Sequence, residues 1–384
     1  MGGGLMQLVA YGAQDIYLTG NPQITFFKVV YRRHTNFSME SIEQTWNGGD
    51  GTATTPAAAG RCTTTISRNG DLVHRVYLEL VGETTAVENP TAYSIVDVEV
   101  EIGGQKIDKQ SGQWMNVWSH LTEPNPSGRT GKSGSDSTGT LFQNMSGMGG
   151  ALGDAGSKSK YWVPLQFWFC RNPGLALPLI ALQYHEVKII LNHNFTDAFS
   201  QLDSNKLWAD YIYLDTDERR RFAQVSHEYL IEQVQDQSIM KGSSADLNFN
   251  HPVKELVWCV NSIEGKLDTI GTLTDTYQLK LNGHDRFAAR DWRYFSRTQI
   301  WQHHSGAGGL TANTESAGQH SDGIGIYSFA LKPEEHQPSG TCNFSRIDNA
   351  QLVCSTGCDA DRVYAVNYNV LRIMSGMGGL AYSN

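Results

Sequence analysis

The stretch Ile95-Val-Asp-Val-Glu-Val-Glu-Ile102 alternates between apolar and acidic side chains. Successive side chains leave opposite faces of a β-strand. Val96, Val98, Val100 and Ile102 are therefore predicted to point to one side. Asp97, Glu99 and Glu101 are predicted to point to the other side. This alternation is typical of a half-buried strand, with one face on a core and one face in solvent.

Similar short runs recur along the whole chain. They lie at 26–33, 37–45, 62–67, 72–81, 161–169, 185–191, 207–215, 228–235, 245–250, 254–260, 277–281, 324–331, 341–353 and 362–373. Turn-forming clusters such as Asn69-Gly70 and Asn282-Gly283 separate them. So many strands without long helical patterns indicate antiparallel sheets, because parallel sheets need crossovers that are usually helical. The chain is predicted to be all-β.

The length of 384 residues indicates two domains, since a single hydrophobic core usually stops growing at roughly 250–300 residues. Two internal echoes agree with this. Glu101–Asp108 and Lys280–Phe287 each read as a strand, a Gly turn and a polar strand start, and Met145–Gly150 recurs at Met374–Gly379. We therefore predict two related β-sandwiches joined near Asp215–Phe222.

Three segments fall outside the strand pattern. Residues 4–17 have weak helical spacing, and we expect them to form an N-terminal arm that needs a partner to become ordered. Gly and Ser dominate residues 124–160 and 305–323. Long segments of this kind inside a compact domain are usually functional surface loops.

The charge balance argues against a nucleic-acid-binding protein. The net charge is −9, which would repel a phosphate backbone unless a basic patch were segregated on one face. The densest basic cluster, Arg219–Arg221, directly follows Asp215, Asp217 and Glu218. We therefore expect no direct contact with nucleic acid.

The cysteines and the hydropathy pattern exclude further classes. Six cysteines are too few for a disulfide framework in a chain of this length, and no second Cys/His pair completes a zinc site beside Cys354 and Cys358. The sequence shows no secretory signal and no run of about 18 apolar residues that could span a bilayer. We expect a protein that is soluble, at least until it assembles.

Several motifs approach catalytic patterns without completing them. Pro126–Ser133 resembles a phosphate loop, but Pro126 stands where the loop needs Gly. His185-Glu186 and His227-Glu228 match the first half of a zinc-protease helix, but isoleucines occupy the positions of the second His. We assign no catalytic residue, no metal ligand and no cofactor.

Two acidic residues lie near the predicted domain junction. On a strand, Asp215 and Asp217 would share a face and could be read as a carboxylate dyad. The neighbouring Arg219–Arg221 favour the simpler interpretation, in which both carboxylates stay ionised in a salt-bridged linker. Among the Asn-x-Ser/Thr sequons, we single out Asn144 and Asn194 as glycosylation candidates.

Long ordered strings resemble one known family. The N-terminal string runs from Gly4-Leu-Met-Gln-Leu-Val-Ala-Tyr through Lys28 to Arg33. Further strings lie at 66–72, 173–187, 221–224, 227–233, 338–349 and 367–382. Together they resemble the major capsid proteins of nucleocytoplasmic large DNA viruses, and the algal phycodnavirus branch is the nearest. The matching strings span both halves and both ends of the chain.

The resemblance implies a double jelly roll, which is two tandem eight-stranded antiparallel sandwiches. The arm would be residues 1–25, the first jelly roll 26–215 and the second 216–384. It also implies a homotrimeric, pseudo-hexagonal capsomer in the outer capsid shell of a virion assembled in the host cytoplasm. The implied partners are neighbouring capsomers and the minor capsid and penton proteins, with the inner face near the internal viral membrane.

Two alternatives from other classes remain open at this point. A double-jelly-roll glycan-processing hydrolase would need acidic residues that converge in a cleft between the sandwiches. A lectin-like binding module would be a stable monomer or dimer with aromatic residues along a shallow groove.

Overall fold

The computed structural model describes residues 24–25, 27–29, 34–56, 59–132, 138–241, 244–260, 265–313, 315–355 and 359–382. The predicted helical stretch of the arm lies outside the described residues. Of residues 1–25, the structure describes only β1, Ile24–Thr25, which pairs antiparallel with β2, Lys28–Val29.

The first half of the chain folds into a sandwich of two antiparallel sheets, which we call the first sandwich. Its strands are β3 Phe37–Gln44, β4 Asn47–Gly48, β5 Gly60–Thr65, β6 Leu72–Thr84, β7 Ile95–Ile102, β8 Gln105–Ser111, β11 Lys158–Pro164, β12 Leu177–Pro178, β13 Val187–His193 and β14 Phe199–Leu214. One sheet has the order β11-β6-β14-β3, with β12 also on β6, and the other has the order β4-β5-β13-β7-β8. A separate parallel pair joins β9 Gly131–Lys132 to β10 Ala151–Leu152.

The second half forms the second sandwich. Its strands are β15 His227–Ser238, β16 Ala245–Asp246, β17 Pro252–Cys259, β18 Thr276–Leu281, β19 His284–Asp285, β20 Arg290–Asp291, β21 Ile324–Ser328, β22 Cys342–Asn343, β23 Ala350–Cys354, β24 Arg362–Met374 and β25 Met377–Leu380. The sheet orders are β15-β24-β17-β21 and β16-β23-β18-β19. Three short strands add to these sheets: β20 pairs with β18, β22 with β17 and β25 with β24.

The two sandwiches repeat one topology. The sheet β3-β14-β6-β11 of the first sandwich has the same order as the sheet β15-β24-β17-β21 of the second, so that β3, β14, β6 and β11 correspond to β15, β24, β17 and β21. The other sheets correspond in the same way, with β5, β13, β7 and β8 matching β16, β23, β18 and β19. The predicted all-β double jelly roll is confirmed.

One of the two predicted internal echoes marks this repeat. Gly103 and Gly104 form the turn between β7 and β8, and Asn282 and Gly283 form the turn between β18 and β19. All four residues have positive φ, from 51° to 80°, as a tight two-residue hairpin requires. The second echo was wrong, because residues 145–150 end a helix whereas residues 374–379 form the β24–β25 hairpin.

The predicted face of β7 was wrong at one position. Val96 is 51% exposed, whereas Ile95 and Asp97 on either side of it are buried. The pairing with β13 shifts at this point, since Asn192 lies opposite Asp97 and His193 opposite Ile95. Val96 is therefore the extra residue of a β-bulge, and a bulge reverses the alternation of faces.

Short helices occur where the sequence predicted strands or loops. The α-helices are Pro90–Ser94, Gly112–Thr122, Leu141–Ser146, Trp168–Arg171, Thr216–Gln224 and Gln299–His303. A short π-helix lies at Tyr294–Thr298, and short 3-10 helices lie at Pro173–Leu175, Phe195–Asp197 and Phe344–Arg346. The predicted strand 161–169 ends at Pro164, and the predicted linker is a helix. No helix in the described ranges is long and apolar enough to cross a membrane.

Candidate functional site

The boundary between the two sandwiches contains buried apolar and charged side chains from both of them. The helix Gly112–Thr122, which we call the clamp helix, leaves the end of β8 and packs on the outer face of the sheet β15-β24-β17-β21. It contributes the buried residues Trp114, Val117, Trp118 and Leu121, and the second sandwich contributes Val257, Cys259, Leu267, Ile300, Ile324, Ile326, Tyr364 and Val366. These side chains form a third apolar core that belongs to neither sandwich alone.

The local sequence explains why this helix forms. The side chain of Ser111 accepts a hydrogen bond from the Trp114 amide, which satisfies one of the free donors at the helix start. Trp114, Val117, Trp118 and Leu121 follow at i, i+3, i+4 and i+7, the spacing of a single apolar helix face. This spacing could have been found in the sequence, but the prediction missed it because the helix has only 11 residues.

Hydrogen bonds between β8 and β15 also cross the same boundary. Asp108 on β8 accepts a hydrogen bond from the Val234 amide on β15 at 3.1 Å, and the side chain of Gln233 donates to the Ile107 carbonyl. Burial raises the pKa of the Asp108 carboxyl to about 6, although the hydrogen bonds from Val234 and Gln110 oppose the increase. Each bond joins one sandwich to the other.

A cluster of buried charges lies beside the apolar core. Lys254 Nζ, on a fully buried side chain, is 2.9 Å from Glu232 Oε1, and Arg171 Nη1 of the first sandwich is 2.8 Å from Glu232 Oε2. Burial alone would raise the pKa of Glu232, but the hydrogen bond from His336 and the charges of Lys254 and Arg171 lower it to about 2. Glu232 is therefore a carboxylate at every physiological pH.

A second buried ion pair adjoins this cluster. His304 Nε2 is 2.9 Å from Glu255 Oε2, and His304 Nδ1 is 3.1 Å from Glu334 Oε1. Burial lowers the pKa of His304, but the charges and hydrogen bonds of Glu255 and Glu334 outweigh it and raise the pKa to about 9. The imidazole is therefore protonated at neutral pH.

A β-bulge in β17 brings both clusters to the boundary. The register against β24 shifts between Val253 and Glu255, so that Lys254 is the extra residue. Without the bulge, Lys254 and Glu255 would point to opposite faces of the sheet. Both side chains instead have partners in the buried charge clusters.

The geometry does not fit the hydrolase alternative. One cavity between the sandwiches measures about 240 Å³ and is lined by Arg171, Glu232, Glu334 and His336, among others. A larger cavity of about 790 Å³, lined by residues 124–128 and 296–320, has no carboxylate in its lining. A general acid needs a carboxyl whose pKa is raised toward neutrality. Both Glu232 and Glu334 have lowered pKa values, because cationic partners hold them ionised. Burial also raises the pKa values of Asp108, Glu88 and Glu123. Asp108 and Glu88 already accept hydrogen bonds from the Val234 and Ala312 amides of the second sandwich, and Glu123 lines neither of these cavities. The arrangement therefore fixes two rigid bodies to each other.

The structure completes none of the motifs that approach catalytic patterns among the described residues. Gly131-Lys132 forms β9 instead of leading into a helix, and Ser133 lies outside the described residues. His185 Nδ1 lies 2.9 Å from the Gly378 carbonyl oxygen, and His227 Nε2 lies 2.8 Å from the Phe222 carbonyl oxygen. Within the described ranges, no group of three or more His, Cys, Asp or Glu residues is arranged to hold a metal ion.

The predicted salt-bridged linker was wrong in detail. Asp215 caps the helix Thr216–Gln224 by accepting a hydrogen bond from the Thr216 amide at 2.7 Å. Arg219 contacts the buried Asp71 of the first sandwich, with Nε 2.9 Å from Oδ1 and Nη2 3.0 Å from Oδ2. The junction is therefore a helix that is held to the first sandwich by a bidentate ion pair.

The two glycosylation candidates have engaged side chains. Asn144 lies in the helix Leu141–Ser146, where its Nδ2 donates to the Thr140 carbonyl at 3.1 Å. Asn194 Nδ2 donates to Asp197 at 2.8 Å, and its Oδ1 accepts from the Thr196 hydroxyl at 2.9 Å. Both residues are half-buried.

Comparison with known families decides what this architecture is. Residues 25–215 match the family model described as major capsid protein N-terminus. Residues 218–379 match the model described as large eukaryotic DNA virus major capsid protein. The chain belongs to the major capsid proteins of large eukaryotic DNA viruses. This membership confirms the predicted family.

Individual relatives agree over the whole chain. This chain is 54% identical to the major capsid protein of Pyramimonas orientalis virus and 40% identical to the major capsid protein of Paramecium bursaria Chlorella virus 1. In both comparisons 100% of each chain is covered. The subunit in the quasi-atomic model of the PBCV-1 virus capsid superposes with a TM-score of 0.75 at 36% identity, covering 94% of this chain and 100% of that one. This major capsid protein is a structural component of the virion shell and not an enzyme, as predicted.

Proposed function

We propose that three copies of the chain form a homotrimer whose six sandwiches make a pseudo-hexagonal capsomer. The observation that carries the proposal is the repeat of one sheet order in two sandwiches that a buried core and buried ion pairs hold together. Threefold symmetry acting on two similar rigid units gives a nearly sixfold block, which can tile a large shell with one gene product.

The proposed organisation divides the chain into an arm at 1–25, a first jelly roll at 26–215 and a second at 216–384. In the shell, the capsomer contacts neighbouring capsomers and the penton proteins through its sides. The inner face and the arm contact minor capsid proteins near the internal viral membrane. Assembly takes place in the host cytoplasm.

The protein encloses a genome without binding the nucleic acid directly. The net charge of −9 supports this, and so does the pairing of Arg219, in the densest basic cluster, with the buried Asp71. Asn144 and Asn194 remain the proposed glycan acceptors of the capsomer. Asn194 is the better candidate, because the Thr196 hydroxyl of its sequon already contacts its side-chain oxygen.

Size-exclusion chromatography with light scattering tests the trimer. The expected mass is three times the 42.5 kDa of the chain, with no dissociation on dilution to the nanomolar range. Obligate oligomers of this type bury on the order of 2,000–5,000 Å² per interface, which accounts for such stability. A monodisperse monomer or dimer would contradict the proposal and would favour the lectin-like alternative.

A further inference from the structure

The first sandwich leaves partly uncovered the face whose counterpart in the second sandwich is buried. The clamp helix covers the outer face of the sheet β15-β24-β17-β21. The corresponding sheet is β3-β14-β6-β11, in which Tyr77 pairs with both Trp208 and Pro164. These side chains point away from the sandwich core, because their neighbours Leu78, Leu207 and Val163 point into it.

Three aromatic side chains, Tyr77, Trp162 and Trp208, lie among charged residues on this face, which we call the aromatic face. Trp162 remains 37% exposed, and Met39 on the edge strand is 45% exposed. The solvent face of an antiparallel sheet is normally polar. Tyr, Trp and Met are instead the residues enriched at protein interfaces. The aromatic face therefore has the composition of a contact surface.

The aromatic face also has the shape to receive a side chain. Tyr77, Phe142, Met145 and Trp162 line a depression of about 550 Å³ on this side of the sheet. Two ion pairs lie on the same face, Lys160 with Glu79 at 2.8 Å and Lys206 with Glu43 at 3.0 Å. Arg75, Glu123 and Asp210 also line the depression, so its lining combines apolar and charged side chains.

The second sandwich carries a helix that matches the clamp helix in chain position. The clamp helix follows β8 and precedes the long loop before β11. The segment Tyr294–His303 follows β20 and precedes the long loop before β21. Phe295 and Ile300 anchor this segment in buried apolar cores, whereas Trp301 is 81% exposed.

We propose that the helix bearing Trp301 in one chain packs on the aromatic face of the next chain. Between chains, the helix bearing Trp301 covers the outer face of a sheet, as the clamp helix covers the corresponding sheet within a chain. This inference rests on the proposed trimer and assigns its two contact surfaces. A head-to-tail contact of this kind closes into a ring when the same rotation separates successive units. Trp301 fills the depression as the central anchor, the role that buried tryptophans commonly have at interfaces.

Single substitutions test the assignment on both sides of the contact. Trp301→Asp and Trp162→Asp are each expected to convert trimers into folded monomers of 42.5 kDa, measured by light scattering. The matched control is Val96→Asp, an exposed apolar residue on the other sheet of the first sandwich, which is expected to remain trimeric. Met39→Asp provides a second probe of the aromatic face. Circular dichroism and urea unfolding verify that each variant is folded.

Mixing the variants tests the head-to-tail pairing. A chain with Trp301→Asp keeps an intact aromatic face, and a chain with Trp162→Asp keeps an intact helix. An equimolar mixture is therefore expected to contain dimers with one copy of each chain, which native mass spectrometry resolves by mass. Trimers that persist in Trp301→Asp, Trp162→Asp and Met39→Asp would overturn the surface assignment and leave the trimer standing. A monomeric unmodified protein would overturn the trimer itself.

Discussion

Trp118 of the first sandwich and His304 of the second meet edge to face, with ring centroids 6.3 Å apart. The Arg171 guanidinium lies over the same indole, 4.4 Å from its centroid. One aromatic ring thus joins the apolar core of the boundary to both buried ion clusters. The relative position of the two sandwiches depends on this group of side chains, and so does any capsomer built from them.

Trp118→Ala is expected to destabilise the protein by about 3–5 kcal/mol, because truncation of a buried Trp leaves a cavity that its neighbours fill only in part. Urea unfolding of the purified protein measures the change. The two sandwiches are expected to unfold in separate transitions once their common core is lost. Leu273→Ala, at an exposed position, serves as the control and should change the free energy of unfolding by less than about 0.5 kcal/mol. A Trp118→Ala variant that behaves like the control would contradict the clamp.

Glu232→Gln is expected to cost about 3–5 kcal/mol of stability, although it preserves the size of the side chain. The substitution leaves Lys254 and Arg171 as buried cations without their common carboxylate. Adding Lys254→Met to Glu232→Gln should recover part of the loss, because one of the unpaired charges is removed. A double-mutant cycle by urea unfolding measures the coupling. Strict additivity would show that the pair does not interact.

The stability of the protein is expected to fall as the pH rises from about 6.5 to about 9. The pKa of His304 is raised from 6.5 to about 9 in the folded state, so that the folded protein holds a proton that the unfolded chain releases. Its stabilising contribution is complete below pH 6.5 and is lost above pH 9. His304→Gln should flatten the curve of unfolding free energy against pH over this range. An unchanged slope in the variant would assign the pH dependence to other groups.

The pattern of alternating residues was sufficient to predict the fold class, but not the local exceptions. The Gly103-Gly104 and Asn282-Gly283 turns could be recognised because the residue types alone determine a positive-φ hairpin. Val96 could not be placed, because a bulge depends on the pairing with a distant strand. The short helices were missed because they span only one to three turns, too few to show a clear apolar spacing.

The buried ion clusters could not be predicted from the sequence either. Arg171, Glu232 and Lys254 come from three separate elements, and no fixed spacing links them. The bulge that turns Lys254 toward the boundary is again a property of strand pairing. The capsid family itself was recognisable, because its ordered strings run through both halves of the chain.

Deletion of residues 1–25 is expected to leave trimers intact and to impair shell assembly, since the described part of this segment, Ile24–Thr25, pairs with Lys28–Val29 and with no strand of either sandwich. Light scattering checks the trimer, and electron microscopy of virus produced with the truncated gene checks the shell. A deletion of residues 1–3 is the matched control, because it leaves the family-like string from Gly4 intact. Normal virions from the longer truncation would refute a role for the arm in assembly.

Single-particle electron cryomicroscopy of the purified assembly tests the central claim most directly. The account predicts a particle with threefold symmetry and six sandwiches in a nearly hexagonal ring, in which contacts within and between chains alternate around the axis. A particle with another symmetry, or with sandwiches that do not form a ring, would contradict it.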